Sequence, residues 1–368
     1  MSRHWKLIPA LVALLLAAGL LSIGEARGRS TVTISCGQTV TATIVVDNNL
    51  SNCPADGLVV GASNITIDLN GHTIDGDDAG TDYGIKNIGG FDGVKILNGR
   101  VLDFASGIYI TTGMEKNTIA GMRIDSNTGD GIDLLGGTKS TITGNVVTGN
   151  GGNGIWLGGS RHKVESNRIV ANALSGIRLD AAFIAVSNNT ITLNTLEGVL
   201  MIQHSNTVSG NLIARNAQEG VEIDSGSSFN TFSANRIIGN LAAGVLVTSA
   251  SAEVFSKNII SGNDGPGIGV TAGGSSNIYK GNEFTGNDGD GLMVWVDASN
   301  VVVDGNRASG NGADGIDIDA DDGTTLIRKN VADGNADRGI EAASGIDGGK
   351  NSAVGNNGSP QCQVVSCS

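Results

Sequence analysis

The sequence predicts an all-β solenoid of about twelve stacked coils, and three observations support this prediction. An Asn recurs every 22 to 24 residues through much of the chain, with a second Asn five positions later and a Gly four positions after that. A fixed period in this range is typical of repeats that bury their apolar faces only by stacking on one another. After each Gly the apolar residues alternate with period two, which indicates strands and excludes helical repeats.

Nine repeats share the spacing without exception. Their first asparagines are Asn145, Asn167, Asn189, Asn211, Asn235, Asn258, Asn282, Asn306 and Asn330, and their closing glycines are Gly154, Gly176, Gly198, Gly220, Gly244, Gly267, Gly291, Gly315 and Gly339. Three looser repeats upstream close on Gly84, Gly107 and Gly131. Twelve repeats therefore cover most of the chain.

Each repeat is predicted to contain at least two short strands. One strand follows the Gly, as in Ile155 and Leu157, and a second apolar set surrounds the first Asn, as in Val186 and Ile191. Strands of stacked coils pair with their equivalents about 4.8 Å away in long parallel sheets.

The repeated Asn and Gly are interpreted as architectural. An Asn in each turn can hydrogen-bond to the coils above and below, which would satisfy turn groups that are otherwise buried and unpaired. The Gly is expected to allow a backbone conformation that is costly for other residues. For this reason no repeat Asn or Gly is a candidate catalytic residue.

The repeat pattern resembles that of the secreted pectate-lyase-like superfamily of right-handed parallel β-helices, over about residues 58 to 350. The resemblance implies a right-handed parallel β-helix. The superfamily includes polysaccharide lyases, galacturonan hydrolases, alginate epimerases, copper-site accessory proteins and surface proteins without activity, so the fold does not choose a function. The Asn-Thr-Asp, Gly-His-Gly, Arg-Ile-Lys and Asp-Pro-His motifs of its enzymes are absent.

The N-terminus is predicted to be a secretory signal peptide. Arg3 and Lys6 precede an apolar run from Leu7 to Ile23, and cleavage is expected after Ala26. An uncleaved membrane anchor is the alternative, although the run is short and contains Pro9. The predicted organisation is a signal peptide at 1–26, an N-terminal cap at 27–61, the β-helix at 62–345 and a C-terminal cap at 346–368. The expected location is the periplasm, the cell surface or the medium.

All four cysteines lie outside the regular repeats, with Cys36 and Cys53 before them and Cys362 and Cys367 after them. In an oxidising compartment this arrangement predicts one disulfide at each end, stapling the caps. A metal site is the alternative, but the spacings contain no CxxC pair. Caps are needed because the terminal coils would otherwise expose unpaired strand edges.

The charge restricts the partners. The chain has a net charge of −13, and the predicted mature form, with 21 basic and 35 acidic residues, would have −14. Nucleic acid is excluded as an expected partner, because its binding needs a basic stripe that the sequence does not show. The same sign opposes direct binding of polyuronates, unless calcium bridges the two carboxylates. A monomer with no membrane span after signal removal is expected.

The outward face of the Gly-led strands is where a polysaccharide is expected to bind. Positions two and four after each Gly point outward, which places Tyr109, Asp133, Trp156 and Trp295 on one face. Exposed aromatic rings can stack on sugar rings and leave the hydroxyls free to hydrogen-bond. The alternative is that loops cover these rings.

Four charged residues of this face are the catalytic candidates: Arg178, Asp180, Glu222 and Asp224. Asp180 and Asp224 are two coils apart, roughly 9 to 10 Å, which suits an inverting hydrolase with one acid and one base. A lyase would instead use Arg178 as base. The alternative is a solvated charged face without catalysis.

A late acidic cluster is the candidate calcium site. Asp290 and Asp314 occupy equivalent positions, and the predicted ligands are Asp297, Asp317, Asp319 and Asp321. Stacked carboxylates repel by roughly 1 kcal/mol in water at such spacing, and calcium would relieve this repulsion. Solvent, salt or nearby arginines are the alternative. No other cofactor is predicted.

The resulting hypothesis is an exported β-helix that binds a polysaccharide along its Gly-led face; whether it also cleaves the polysaccharide, as a lyase or hydrolase, is left open. The alternative is a non-catalytic surface or structural protein. Coils of nearly constant length leave almost no loops to build groove walls, and this favours the alternative.

Overall fold

The computed structural model describes residues 31–295, 297–320 and 323–368, and all regular structure in that part of the chain is β-strand. The strands form three parallel sheets of 14, 14 and 13 members. Each strand pairs with its equivalents in the preceding and following coils, and thirteen coils carry all three strands. The prediction of an all-β parallel solenoid is therefore confirmed, with three strands in each coil.

Sheet 1 contains the Gly-led strands Gln38–Val40, Leu58–Val60, Tyr83–Asn87, Ser106–Ile110, Ile132–Leu134, Ile155–Leu157, Ile177–Leu179, Val199–Met201, Val221–Ile223, Val245–Thr248, Ile268–Ala272, Leu292–Val294, Ile316–Ile318 and Ile340–Ala342. Sheet 2 contains Ile44–Val45, Thr66–Asp68, Lys95–Leu97, Thr118–Ala120, Thr141–Thr143, Lys163–Glu165, Ala185–Ser187, Thr207–Ser209, Thr231–Ser233, Val254–Ser256, Ile278–Lys280, Val302–Asp304, Leu326–Arg328 and Ile346–Asp347. Sheet 3 contains Leu50–Cys53, Thr73–Gly76, Arg100–Leu102, Arg123–Asp125, Val146–Thr148, Arg168–Val170, Thr190–Thr192, Leu212–Ala214, Arg236–Ile238, Ile259–Ser261, Glu283–Thr285, Arg307–Ser309 and Val331–Asp333. Strands begin at Gln38, inside the segment predicted as the N-terminal cap.

The core is a column of apolar side chains between the three sheets. Because most strands are three residues long, each contributes one or two inward residues, and these stack on their equivalents from coil to coil. Phe232, Phe255 and Tyr279 form an aromatic stack inside the column, with centroids 4.8 Å and 5.4 Å apart. Stacking of equivalent positions keeps most coils in the same register, and the pairing shifts only locally among the described strands, at Val247/Thr248 and between Leu50 and Cys53.

The asparagines form two buried ladders along the solenoid. In one, the side-chain Nδ2 of Asn211 donates to Oδ1 of Asn235 at 3.0 Å, and the backbone N–H of Asn211 donates to the same oxygen at 3.0 Å. Asn235 Nδ2 donates in turn to Asn258 Oδ1 and to the carbonyl of Val208. The predicted role of the first Asn in linking adjacent coils is confirmed, and the second Asn of each repeat does the same, as in Asn216.

The repeat glycines are needed for a different reason from the one the sequence suggested. None of the nine closing glycines has a positive φ. A Cβ added at Gly220 would instead lie 2.6 Å from the carbonyl oxygen of Gly244 and 2.8 Å from Nδ2 of Asn240. Hydrogen in place of a side chain is therefore what lets the backbone of one coil contact the next.

Both predicted disulfides are present, Cys36–Cys53 and Cys362–Cys367, near the two ends of the solenoid. No helix long and apolar enough to cross a membrane occurs among the described residues. The predicted signal peptide at 1–26 lies outside those residues and stays a prediction.

Candidate functional site

Four chemically distinct side chains occupy consecutive coils on the outer face of sheet 1. The strand register pairs Tyr109 with Asp133, Asp133 with Trp156, and Trp156 with Arg178. Each is the second residue after its Gly, so the alternation of the strand turns each one outward, between two buried apolar neighbours. The row Tyr109, Asp133, Trp156 and Arg178 is called the sheet 1 row below.

The aromatic end of the row is a stacked tyrosine pair. The rings of Tyr83 and Tyr109 lie 4.2 Å apart between centroids with an interplanar angle of 22°. Tyr109 was a predicted substrate-binding residue, whereas Tyr83 was not, because it precedes its Gly instead of following it. The pair presents a partly exposed aromatic surface next to Asp133.

The other end of the row is a hydrogen-bonded group of three side chains. Arg178 Nε donates to Asp180 Oδ1 at 3.0 Å, and Trp156 Nε1 donates to Asp180 Oδ2 at 3.0 Å. The Arg178 guanidinium carbon lies 5.5 Å from the centroid of the Trp156 ring. These contacts fix the indole in a partly exposed orientation. They also pair the Arg178 guanidinium with the Asp180 carboxylate.

Asp133 is the chemically unusual member of the row. Only 6% of its surface is exposed, and its buried Oδ1 has no hydrogen-bond partner. Burial, helped by the charge of Asp130, raises the pKa of Asp133 to about 7. Asp130 itself accepts hydrogen bonds from the backbone and side-chain N–H groups of Asn153. Asp133 is therefore a carboxyl group that titrates close to neutral pH, where the protonated and ionised forms are both populated.

A shallow depression of about 480 Å³ borders the row, lined by Ser106, Gly129, Asp130, Gly151, Gly152, Asn153, Trp156, Leu174 and Arg178. Its floor is the turn that precedes each Gly-led strand, and its polar groups come from Asp130 and Asn153. Because the coils here are short, no long loop encloses it. The shape suits one segment of an extended ligand.

The remaining catalytic candidates lie farther along the sheet. Glu222 follows Trp156 by three coils, roughly 14 Å away, with Leu200 between Arg178 and Glu222. The carboxylates of Glu222, Glu197 and Glu219 lie close together, with one oxygen of each within 4.8 Å of the others. Burial and the neighbouring Glu197 raise the pKa of Glu222 to about 7. Asp224, in the same strand region, accepts a hydrogen bond from the backbone N–H of Ser225.

Three residues of the late acidic cluster converge in the structure, one of which, Asp317, is a predicted calcium ligand. Carboxylate oxygens of Asp290, Asp314 and Asp317 lie within 4.8 Å of one another. Burial, helped by Asp319, raises the pKa of Asp317 to about 8, and burial raises that of Asp314 to about 6. Asp319 therefore lies beside the cluster, whereas Asp297 is exposed and outside it. Asp321 lies outside the described residues.

Trp295 does not join the sheet 1 row. It is 46% exposed, and its coil follows that of Trp156 by six, roughly 29 Å along the axis. Any ligand that contacts both indoles must therefore be an extended polymer.

The raised carboxyl pKa values predict an unusual pH dependence of stability. An acid whose pKa is higher in the folded chain binds more protons when folded, so the free energy of unfolding falls as pH rises through that interval. For Asp133, Glu222 and Asp317 the interval runs from about 4 to about 8. We expect the melting temperature at low ionic strength to fall from pH 5 to pH 8. Asp317→Asn should reduce the slope, exposed Asp264→Asn should not, and a melting temperature that rises over this range would contradict the assignment.

Comparison with known proteins identifies the class to which this solenoid belongs. The family model described as right handed beta helix region matches residues 132–280 and 231–367, more than half of the chain. The protein belongs to this family, and the right-handed parallel β-helix predicted from the repeats is confirmed. A second model, described as periplasmic copper-binding protein (NosD), matches residues 25–199, slightly less than half of the chain.

Solved structures that resemble this chain include an epimerase module and a DFA-IIIase. The A-module of the Azotobacter vinelandii mannuronan C-5 epimerase AlgE6 is 17% identical, with 92% of this chain and 91% of that chain covered and a TM-score of 0.49. A DFA-IIIase from Arthrobacter chlorophenolicus A6 is 14% identical, with 68% and 80% covered and a TM-score of 0.45. These values carry no argument about activity. No curated protein sequence matches the chain.

Proposed function

We propose that this protein is exported and binds a polysaccharide along the outer face of sheet 1, centred on the sheet 1 row. The observation that carries the proposal is the partly exposed Trp156 indole, held in place by Asp180 and Arg178. A fixed aromatic ring offers a sugar a flat apolar surface without a large loss of side-chain entropy on binding.

Polar groups around the indole supply hydrogen-bonding partners for sugar hydroxyls. Asp130 and Asn153 line the adjoining depression together with Arg178. The Tyr109 and Tyr83 rings provide a second aromatic surface, two and three coils before Trp156. A sugar chain that lies along the solenoid axis would contact both surfaces in succession.

The binding proposal is tested by electrophoresis through gels that contain neutral or uronic polysaccharides. Trp156→Ala removes the stacking surface. We therefore expect it to raise the dissociation constant for the polysaccharide, measured from the retardation, at least about tenfold. Trp295→Ala is the matched control: with short oligosaccharides it should bind like the parent, since the two indoles lie far apart. Equal binding by Trp156→Ala and the parent on every retarding polysaccharide would reject the site.

A specific observation also favours hydrolysis at this site. Inverting glycoside hydrolases need one protonated carboxyl group and one carboxylate on opposite sides of the scissile bond. Asp133, whose pKa burial raises to about 7, and Asp180, which is ion-paired with Arg178, lie in coils on either side of Trp156. In the proposed step Asp133 donates its proton to the leaving glycosidic oxygen, and Asp180 takes a proton from the water that attacks the anomeric carbon.

Chain shortening and double-bond absorbance distinguish the possible activities. Hydrolysis predicts shortening without new ultraviolet absorbance, and loss of at least about a hundredfold in rate in Asp133→Asn with binding retained. New absorbance that disappears in Arg178→Ala would establish a lyase instead. Binding without either change in any polysaccharide would establish the non-catalytic surface or structural role.

We propose calcium as the ion for the cluster of Asp290, Asp314 and Asp317. Carboxylate oxygens are the ligands that calcium prefers. A bound cation would also offset the cost of burying the Asp317 negative charge, which is the main cause of its raised pKa. Added calcium should raise the melting temperature at pH 8, and this gain should vanish in Asp317→Asn. An equal gain in both proteins would place the calcium elsewhere.

Copper, the metal named for the second matching family, does not fit the described residues. All four cysteines are in disulfides. His162 is buried, and both of its ring nitrogens are hydrogen-bonded, to the backbone of Gly158 and of Ser140. Met201 points into the core. Copper sites need His, Cys or Met ligands that converge. No copper chemistry is therefore assigned to this chain.

A further inference from the structure

The outer face of sheet 3 carries a patch of cations and aliphatic side chains without any acidic residue. The patch, called the basic face below, consists of the outward residues of five consecutive strands and of the one residue that follows two of them: Arg168, Val170, Thr190, Thr192, Leu193, Leu212, Ala214, Arg215, Arg236, Ile238, Ile259 and Ser261, with Lys257 at its border. Two exposed acids bound its far end: Asp264, in the turn after Ser261, and Glu283, which pairs with Ile259 in the next coil. In a chain with a net charge of −13, this segregation contrasts sharply with the remaining surface. These cations do not stand out as a stripe in the sequence, because they are spaced about a coil or more apart.

The cations of the basic face have no carboxylate partners. Arg168, Arg215, Arg236 and Lys257 are exposed and form no ion pair with any described residue. Earlier in the same sheet, Arg100 and Arg123 share the carboxylate of Asp125. The absence of acids is therefore local to the basic face. Four unpaired positive charges remain available to an anionic ligand.

The surface between the cations is aliphatic. Leu193 is 55% exposed and Ile259 is 37% exposed, and Leu212 and Ile238 lie between them. An open depression of about 600 Å³ is lined by Arg168, Thr192, Leu193, Leu212, Ala214, Arg215, Ile238 and Gly239. Large exposed aliphatic side chains grouped in this way mark an interaction surface.

The combination of charge and apolar surface specifies the partner. The basic face offers a sugar no aromatic ring to stack on, and between its cations it presents aliphatic side chains with only Thr190, Thr192 and Ser261 as hydroxyl partners. An anionic lipid surface instead supplies phosphates for the guanidinium groups and acyl chains for Leu193 and Ile259. The five strands span roughly 19 Å, enough to contact several headgroups at once.

We infer that the basic face docks this protein on an anionic lipid surface, leaving sheet 1 turned to a different side for its ligand. This inference is independent of the proposed polysaccharide site, because the two faces belong to different sheets. Trp156→Ala should leave lipid binding unchanged, and the variants below should leave polysaccharide binding unchanged.

The first test measures sedimentation of the exported protein with vesicles of phosphatidylglycerol or of phosphatidylcholine. We expect binding to the anionic vesicles only, and weaker binding as salt rises. Arg168→Gln/Arg215→Gln/Arg236→Gln should weaken it on the order of a hundredfold, at about one kcal/mol for each charge. The matched control, Lys95→Gln/Lys163→Gln/Lys280→Gln, removes three exposed charges from sheet 2 and should bind like the parent.

The second test locates the membrane contact directly. Because the chain has no free cysteine among its described residues, a single introduced thiol can carry an environment-sensitive dye. A dye at Thr190→Cys, in the centre of the basic face, should shift to the blue on anionic vesicles, whereas one at Thr141→Cys, in sheet 2, should not. This comparison holds whatever residues 1–30 contribute to binding.

Two results would overturn the inference. One is equal vesicle binding by the parent and the sheet 3 triple variant, together with equal dye responses at the two positions. The other is binding of soluble polygalacturonate that the triple variant loses, with no binding of vesicles, which would assign the face to an anionic polysaccharide.

Discussion

Replacing Asn235 by Ala is expected to destabilise the solenoid by about 4 kcal/mol or more. The side chain is fully buried and takes part in four hydrogen bonds. Its removal leaves the N–H groups of Asn211, the carbonyl of Val208 and the Oδ1 of Asn258 without this partner. Each buried polar group that loses its partner costs about 1 to 3 kcal/mol, which exceeds the net value of the bonds themselves.

Urea denaturation followed by circular dichroism measures the effect, and hydrogen exchange shows whether the central coils open first. Asn357→Ala is the matched control, because it makes the same chemical change at an exposed side chain in the C-terminal turns. We expect it to alter stability by less than about 0.5 kcal/mol. Equal effects of the two substitutions would mean that the ladder does not hold the coils together.

Gly220→Ala is expected to cost about 3 kcal/mol or more. The added methyl group would meet Ile237, the carbonyl oxygen of Gly244 and the amide of Asn240, and two of these contacts are with groups of the ladder and backbone that cannot move freely. Overpacking of this kind forces shifts of the backbone between coils. Because the ladder and the coil spacing share these atoms, the cost should spread to both neighbouring coils.

Gly226→Ala separates this steric explanation from the conformational one. Gly226 has a φ of +87° and nothing within 4 Å of an added Cβ, so its replacement should cost only about 1 to 2 kcal/mol for the left-handed backbone. Thermal and urea denaturation of both variants should therefore rank Gly220→Ala as the more damaging. The reverse order would restore the interpretation that the repeat glycines serve backbone conformation.

The sequence predicts most of the fold because each coil repeats the same spacing of Asn, Gly and alternating apolar residues. The alternation after Gly places Ile155 and Leu157 in the core and Trp156 outside, and the structure shows this arrangement. The sequence pattern does not separate the sheet 3 strand from the sheet 2 strand, because the sheet 3 strand begins directly after the first Asn, as Val146–Thr148 follows Asn145. The steric role of the repeat glycines could not be predicted, because it depends on close contacts with the next coil, such as that of Gly220 with the carbonyl oxygen of Gly244, which leave no local signal in the sequence.

The candidate site was only partly predictable. Trp156, Arg178 and Asp180 were chosen from their outward positions, and the structure brings all three into contact. The alternation after Gly predicts that Asp133 points outward and does not predict its burial. The basic face was missed because net charge averages over all three sheets. Reading the outward positions of sheet 3 separately, from Arg168 to Ile259, would have revealed it.

The most direct test of the central claim is the fluorescence of Trp156 during titration with oligosaccharides. In the exported Trp295→Phe variant, Trp156 is the single tryptophan left if cleavage follows Ala26 and removes Trp5. The account predicts a saturable change in its emission with at least one neutral or uronic oligosaccharide, and no such change in the reciprocal Trp156→Phe variant. An emission that stays constant with every saccharide that the protein binds would contradict a sugar site at the sheet 1 row.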